Sequence, residues 1–154
     1  MSFFVKVAVG FFMLVYGGFW AMAHIVSAAE LPEDTAYAIF DEVNEQREEA
    51  GLPALRWSND IETKVSDIRA EEASVKWSHV RPNGQKWWGL QKICKILGGE
   101  NLAYCQEGDE ESIIDSWMSS PAHRDNILFS DFTCAAVSCY ESNGEIYVAC
   151  NFGY

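Results

Sequence analysis

Basic residues are scarce in this chain of 154 residues. It holds 11 lysines and arginines against 23 aspartates and glutamates, a formal net charge of −12. The few basic residues form no cluster, whereas proteins bind phosphate backbones mainly through lysine and arginine. We therefore expect no nucleic-acid partner, and the same acidity disfavours electrostatic docking on anionic lipid.

Several catalytic motifs are also missing. The chain has no glycine-rich phosphate loop, no Gly-x-Ser-x-Gly elbow and no His-Glu-x-x-His pair. These are the local motifs of nucleotide binding, of many serine hydrolases and of many zinc peptidases. No internal repeat or low-complexity run is present either, and the length predicts a single domain.

Charge is almost absent from residues 1–29, where Lys6 is the only charged residue. Of these 29 residues 22 are apolar, and the run ends at the small residues Ala28 and Ala29. This pattern is typical of a secretory signal peptide cleaved after Ala28 or Ala29. The alternative is an uncleaved anchor at residues 3–28, since the run is nearly long enough to span a bilayer. Either way we predict that residues 30–154 form one exported domain, which contacts a membrane only if the leader stays attached.

All five cysteines lie in this exported part of the chain. They are Cys94, Cys105, Cys134, Cys139 and Cys150. An oxidising compartment favours disulfides, so most of these thiols are expected to be paired. Because five is an odd number, at most two bridges can form within one chain.

Hydrophobic spacing predicts three helices followed by a β-hairpin. The helices are expected at 33–50, 58–75 and 109–119, and a short strand at 101–105. Two β-rich runs at the C-terminus flank Asn143-Gly144, which is a strong hairpin signal. Helices first and antiparallel strands last define an α+β fold.

A two-residue hairpin loop also fixes which residues face each other. Cys139 then lies opposite Val148, and Val137 lies opposite Cys150. The face that carries these residues is almost entirely apolar, so we expect it to be buried in a core. The other face carries Ser138, Tyr140, Glu145 and Asn151.

Only two histidines remain once the leader is set aside, His79 and His123. They are 44 positions apart and form no local metal motif, so only the fold could bring them together. Glu100, between a glycine and Asn101, is a carboxylate in a segment where the backbone can approach another group closely. Two imidazoles and a carboxylate could hold a zinc ion with an open position, or act as a general acid/base pair.

A series of short motifs resembles the CAP superfamily, also called the SCP domain, and especially its short bacterial members. The motifs are Asn44-x-x-Arg47, Gly51-Leu52-Pro53-Ala54-Leu55-Arg56-Trp57, Arg69-Ala70-Glu71-Glu72, Ser78-His79-Val80-Arg81-Pro82-Asn83-Gly84, Gly99-Glu100-Asn101-Leu102-Ala103, Trp117 to Leu128, and Asn151-Phe152-Gly153-Tyr154. Each motif alone is weak, but their order and spacing match the family. The resemblance implies an α-β-α sandwich with an antiparallel sheet between helical layers.

The resemblance also implies a cleft that contains His79, Glu100 and His123. Family members place two histidines and two glutamates there, and some bind zinc. The position of the second glutamate is Ser120 in this chain. Zinc held by His79 and His123 is therefore expected to bind weakly, because a carboxylate that supports metal ligands can contribute about 10–100-fold in affinity.

The family resemblance favours one disulfide, Cys139–Cys150, although the hairpin register places these residues diagonally, so that a bulge or slip would be needed. Cys134 then has Cys105 or Cys94 as its partner.

Two functions remain open for the domain. The first is a non-catalytic extracellular binding module for a small ligand, a lipid, a surface or wall component, or a divalent metal. The second is a metal-assisted or acid/base hydrolase of the peptidase type, with His79 and His123 as zinc ligands and Glu100 as the base. The missing glutamate and the lack of an activated nucleophile favour the first.

Overall fold

The computed structural model describes residues 32–154, so the predicted leader at 1–29 lies outside it. Its sheet has the strand order β1-β3-β4-β2. The strands are β1 (Arg56–Trp57), β2 (Leu97–Gln106), β3 (Cys134–Ser142) and β4 (Glu145–Gly153). β4 pairs antiparallel with both β2 and β3, whereas the short β1 pairs parallel with β3. The predicted antiparallel sheet is therefore mixed at this one edge.

The three predicted helices are confirmed, with their ends within three residues of the expected positions. The helical segments are α1 (Pro32–Glu49), α2 (Asn59–Ile61), a π-helical turn (Glu62–Ser66), α3 (Asp67–Val75), a 3₁₀-helix (Trp87–Lys92), α4 (Ser112–Ser119) and α5 (Pro121–Ile127). α2, the π-helical turn and α3 form the single predicted second helix, and Ser58 caps its first turn through Ile61 N–H. α5 was not predicted; it starts at Pro121, whose fixed φ suits a first helical position.

The sheet lies between two helical layers, as the α+β sandwich requires. α1, α4 and α5 cover one face, and the π-helical turn and α3 cover the other. The larger core includes Val43 from α1, Trp117 from α4 and Val148 from β4, all fully buried. A smaller cluster around Val65 fills part of the other face. Within residues 32–154 no helix combines the length and the apolar character needed to cross a membrane.

The hairpin register is confirmed residue by residue. Cys139 pairs with Val148, and Val137 pairs with Cys150. The turn residues Asn143 and Gly144 have φ values of 56° and 78°. Positive φ at both central positions is what a two-residue turn between twisted strands requires, and Asn-Gly supplies it with little strain.

The apolar face of the hairpin is buried as predicted, and part of the polar face is buried as well. Ser138 is 6% exposed and Asn151 is fully buried, although both lie on the polar face. α3 and the turn before it pack on this face and bring their own polar groups. The Ser66 hydroxyl donates to Asn151 Oδ1 at 3.1 Å, and the Ser138 hydroxyl donates to Asp67 Oδ1 at 2.6 Å. A polar face can therefore be buried here because its polar atoms are hydrogen-bonded.

The structure forms none of the predicted disulfides, since all five cysteines carry free thiols. The regular register explains this for Cys139 and Cys150. Diagonal cross-strand neighbours lie roughly 7–8 Å apart, whereas bonded cysteines need Cβ atoms about 4 Å apart. Burial raises the pKa of Cys139 to about 12 and that of Cys105 to about 11, so both thiols stay protonated at neutral pH.

Candidate functional site

Glu100 lies near the start of β2 with its side chain fully buried, and four donors surround its carboxylate. Oε1 accepts from His79 Nδ1 at 2.8 Å and from Arg69 Nη2 at 3.2 Å. Oε2 accepts from Arg69 Nε at 2.7 Å and from Asn151 Nδ2 at 3.4 Å. A carboxylate offers about four acceptor positions. All the acceptor positions of Glu100 are therefore in use.

Arg69 compensates the buried charge of Glu100 and continues the network towards the surface. It lies on α3, fully buried, one helical turn after Val65 on the side that faces the sheet. Its Nη1 donates to Glu72 Oε2 at 2.7 Å and its Nη2 donates to Ser78 O at 2.9 Å. Arg81 then holds Glu72 through bonds of 2.8 to 3.0 Å.

Hydrogen bonds and burial have opposite effects on the pKa of Glu72, and the hydrogen bonds dominate. Burial alone would raise the pKa of the Glu72 carboxyl, but the bonds from Arg81 and Arg69 hold this pKa below its ordinary value. Glu72 is therefore a charged link between the two arginines. The segment that carries His79 follows α3, and this network ties it to the helix.

His79 lies just after α3, with half of its side chain exposed to solvent. Because the facing atom, Glu100 Oε1, belongs to a carboxylate paired with Arg69, we assign the proton of the neutral ring to Nδ1. The lone pair then lies on Nε2. A carboxylate behind one ring nitrogen is the arrangement that fixes the tautomer and orientation of metal-binding histidines.

His123 comes from α5, which two asparagines attach to β2. Asn101 Nδ2 donates to the His123 carbonyl at 3.0 Å. Asn126 Nδ2 contacts Asn101 Oδ1 at 2.9 Å and the Glu100 carbonyl at 3.3 Å. The His123 Nδ1 atom is buried and has no hydrogen-bond partner among the described residues.

Electrostatics couple the two imidazoles. Burial lowers the pKa of His123, and the positive charge of protonated His79 lowers it further. His123 is therefore neutral at neutral pH. The fold thus brings His79, Glu100 and His123 into one region, although 44 residues separate the two histidines.

Acid should weaken the fold partly through His123. Its pKa is lower in the folded state than in the unfolded chain, so the unfolded state takes up the proton first as pH falls. We expect the free energy of unfolding to fall as the pH drops below about 7, and His123→Gln to remove part of that slope. Urea unfolding at a series of pH values measures this, with Ser119→Ala as the control. Identical slopes for the wild type and His123→Gln would contradict it.

Ser120, where the family resemblance led us to look for a second glutamate, lies between α4 and α5. It is half-buried, and its side chain makes no capping hydrogen bond to α5. Its carbonyl accepts from Arg124 N–H at 2.9 Å and so starts the helix. Because its side chain is neutral, Ser120 does not bring the negative charge that a glutamate would bring to this region.

The sequence analysis did not single out Arg69, Asn101 or Asn126, which hold the site in place. One signal was available for Arg69. Val65, Arg69 and Ala73 follow one another at intervals of four along one face of a helix, and all three are buried. The apolar Ile68, one position before Arg69, is only half-buried. An arginine between two apolar positions on such a face needs a buried partner.

The metal hypothesis rests on the two imidazoles alone. Within residues 32–154 no group of three or more histidine, cysteine, aspartate or glutamate side chains is arranged to hold a metal ion. Glu100 is near His79 but is also bonded to Arg69. Two nitrogens with open positions would bind a metal more weakly than the three protein ligands of catalytic zinc sites.

Comparison with known proteins identifies the class. The sequence model of the cysteine-rich secretory protein family, called CAP, matches residues 40–152. The chain belongs to this family. Its sequence is 32% identical over 106 residues to the uncharacterized protein YkwD of Bacillus subtilis, an alignment that covers 64% of this chain and 40% of YkwD. The chain thus matches well under half the length of that relative.

Solved structures share the fold. An extracellular protein containing an SCP domain from Bacillus anthracis superposes with a TM-score of 0.63 at 21% identity, over 79% of this chain and 41% of that one. An outer surface protein from Borrelia burgdorferi gives a TM-score of 0.63 at 14% identity, over 80% and 94% of the two chains. At such low identities the similarity shows the fold alone. That fold is the α+β sandwich that the sequence predicted.

Proposed function

We infer that this domain works outside the cytoplasm as a non-catalytic binding module, in which His79 and His123 bind a divalent metal such as zinc weakly. Water, or a donor atom of a small extracellular ligand, would complete the coordination shell. The observation that carries this inference is the set of four donors around Glu100. It makes Glu100 a group that orients His79, rather than one that reacts.

The same observation weighs against the hydrolase alternative. A general base must accept a proton from water or substrate within hydrogen-bond reach. Glu100 has no acceptor position left for that proton, and its side chain is buried. Ser120 stands where the family resemblance places a second glutamate, so that position supplies no base either.

The imidazoles have the chemistry that a borderline-soft divalent metal prefers. His79 presents Nε2 as the lone-pair atom when Nδ1 donates to Glu100. His123 is neutral at pH 7 because burial lowers its pKa, so no proton has to be displaced from it. The unpartnered Nδ1 of His123 further indicates a ring that is not committed to another group of the fold.

Two observations support a location outside the cytoplasm. Residues 1–29 have the composition of an export signal. The Bacillus anthracis protein that shares the fold is an extracellular protein. A lipid or wall component could then be the partner that completes the site.

Zinc titration by calorimetry tests the metal site. We expect saturable heat for the wild type, at least about tenfold weaker binding after either His79→Ala or His123→Ala, and no measurable binding after both. Ser119→Ala, an exposed change close to the cleft, should bind like the wild type. Equal heats for the wild type and the double variant would contradict the proposal, and chelator-sensitive peptide hydrolysis would favour the enzyme instead.

A further inference from the structure

A cavity lies at the edge of the sheet remote from the histidines. Its volume is about 230 Å³, and its walls come from the first turns of α1, from β1, from the π-helical turn, from the start of α3 and from β3. Its polar and aromatic lining residues are Glu33, Tyr37, Trp57, Glu62, Asp67 and Ser138. We call it the edge pocket. β2, which carries Glu100, forms the opposite edge of the sheet.

The pocket exists because β1 is short. Its two residues pair only with Cys134 and Ala135 of β3. β3 continues past them, so within the described part of the chain Val137 and Cys139 have no neighbouring strand on that side. The aromatic side chains of α1 and β1 cover this gap without filling it.

One wall of the pocket is aromatic and rigidly held. The rings of Tyr37 and Trp57 have centroids 4.4 Å apart, and Phe40 packs edge-on against Trp57 at 5.0 Å. The indole Nε1–H donates to Glu62 Oε2 at 2.9 Å, which fixes the ring in place. Aromatic faces carry partial negative charge and attract cations.

Three acidic side chains also line the pocket, beside a few apolar ones. Glu33, Glu62 and Asp67 all line the pocket, and within residues 32–154 none forms a salt bridge to a lysine or arginine. Burial raises the pKa of Tyr37, and the negative charges of Glu62 and Glu33 raise it further. The two carboxylates therefore act directly on the aromatic wall.

The carboxylates of the edge pocket, which have no arginine or lysine partner within residues 32–154, contrast with those of the histidine site. There, arginines compensate the charges of Glu72 and Glu100. Glu100 is paired with Arg69, and Glu72 with Arg69 and Arg81. In the edge pocket, hydrogen bonds from Trp57 and Ser138 occupy one oxygen each of Glu62 and Asp67 and neutralise no charge. A cavity that combines three carboxylates with an aromatic face is complementary to a positively charged organic group.

We propose that the edge pocket binds an organic cation, an alkylammonium group, against the Tyr37–Trp57 face with the three carboxylates around it. The ammonium hydrogens would take the free oxygens of Glu62 and Asp67, and the alkyl part would contact the rings. The same chemistry is found in a free amine and in a lysine side chain of a peptide. The site is separate from the metal proposal and does not depend on it.

Indole N–H resonances in ¹H–¹⁵N NMR spectra test this, with the Trp57 signal assigned from Trp57→Phe. Titration of the full chain with n-butylammonium chloride should shift that signal saturably. 1-Pentanol, which has a similar shape and no charge, and sodium chloride at equal ionic strength should not. A titration with Nα-acetyl-lysine amide, whose side chain keeps its ammonium group, then replaces butylammonium. Comparing the two affinities distinguishes a lysine side chain of a peptide from a free amine.

Charge-removing variants locate the binding. Glu62→Gln with Asp67→Asn keeps the acceptors for Trp57 and Ser138 and should weaken butylammonium binding about tenfold. Glu107→Gln, an exposed acid elsewhere, should leave it unchanged. In the wild type, nuclear Overhauser effects should join the ligand methylene protons to the rings of Tyr37 and Trp57. Equal shifts with pentanol, unchanged binding in the double variant, or no such effects would overturn the proposal.

Discussion

Replacing Arg69 by methionine is expected to lower the free energy of unfolding by about 3–5 kcal/mol. Arg69 is fully buried and is the only arginine or lysine among the residues that the structure places against the Glu100 carboxylate. Without it, Glu100 becomes a buried charge with no compensating partner. Urea unfolding measures the effect directly.

Two further variants separate the lost charge pair from lost packing. Adding Glu100→Gln to Arg69→Met should recover part of the stability, because the remaining buried group is then neutral. Lys64→Met removes an exposed pair with Asp60 at 2.7 Å and should change stability by no more than about 1 kcal/mol. If Arg69→Met were no more destabilising than Lys64→Met, the buried network would have no structural importance.

Replacing Arg47 by methionine should have an effect of similar size, at least about 3 kcal/mol. Arg47 is 1% exposed and, within residues 32–154, donates only to backbone carbonyls. The acceptors are those of Pro53, Ile127, Phe129 and Phe132, at 2.7 to 3.4 Å. Losing the guanidinium removes its donors from the buried carbonyls of Ile127 and Phe132, and each buried carbonyl without a partner costs about 1–3 kcal/mol.

The matched control for Arg47 is Arg124→Met, an exposed arginine on α5. It should alter stability by less than about 0.5 kcal/mol. The loss of stability in Arg47→Lys should lie between the losses in Arg47→Met and Arg124→Met. A single ammonium group keeps the charge but cannot reach all four carbonyls. Thermal and urea unfolding of the three variants at one pH give the ranking. Equal losses of stability in Arg47→Lys and Arg47→Met would contradict the view that the planar, forked guanidinium is needed to reach these carbonyls.

The two buried arginines explain how the histidines are held. Arg47 joins α1 to the end of α5 and the loop that follows it. Arg69 joins α3 to Glu100 and to the backbone of Ser78, next to His79. Each histidine is thus adjacent to a segment that a buried guanidinium fixes. Both variants should therefore weaken zinc binding as well as the fold.

Local patterns predicted much of the backbone. Alternation and the Asn143-Gly144 turn predicted the hairpin and its register, because a turn with two positive φ values allows only one pairing. Periodicity predicted the three longer helices. The expected end of the third helix at residue 119 matches α4, but the residues after it form a further helix, α5, that no pattern had indicated. Short helices carry too few apolar positions to be recognised by their period.

The sequence by itself determined the family, the hairpin and the identity of the three residues with suitable chemistry, His79, Glu100 and His123. These depend on local order along the chain and on motif spacing. Only the tertiary structure decided what Glu100 can do, because Arg69 and Asn151 reach it from distant segments. It likewise decided that Ser138 and Asn151 of the polar hairpin face are buried and that Cys139 and Cys150 remain free thiols. The physical reason is the same in each case: charge compensation and burial depend on which groups meet in space, and sequence distance does not encode that.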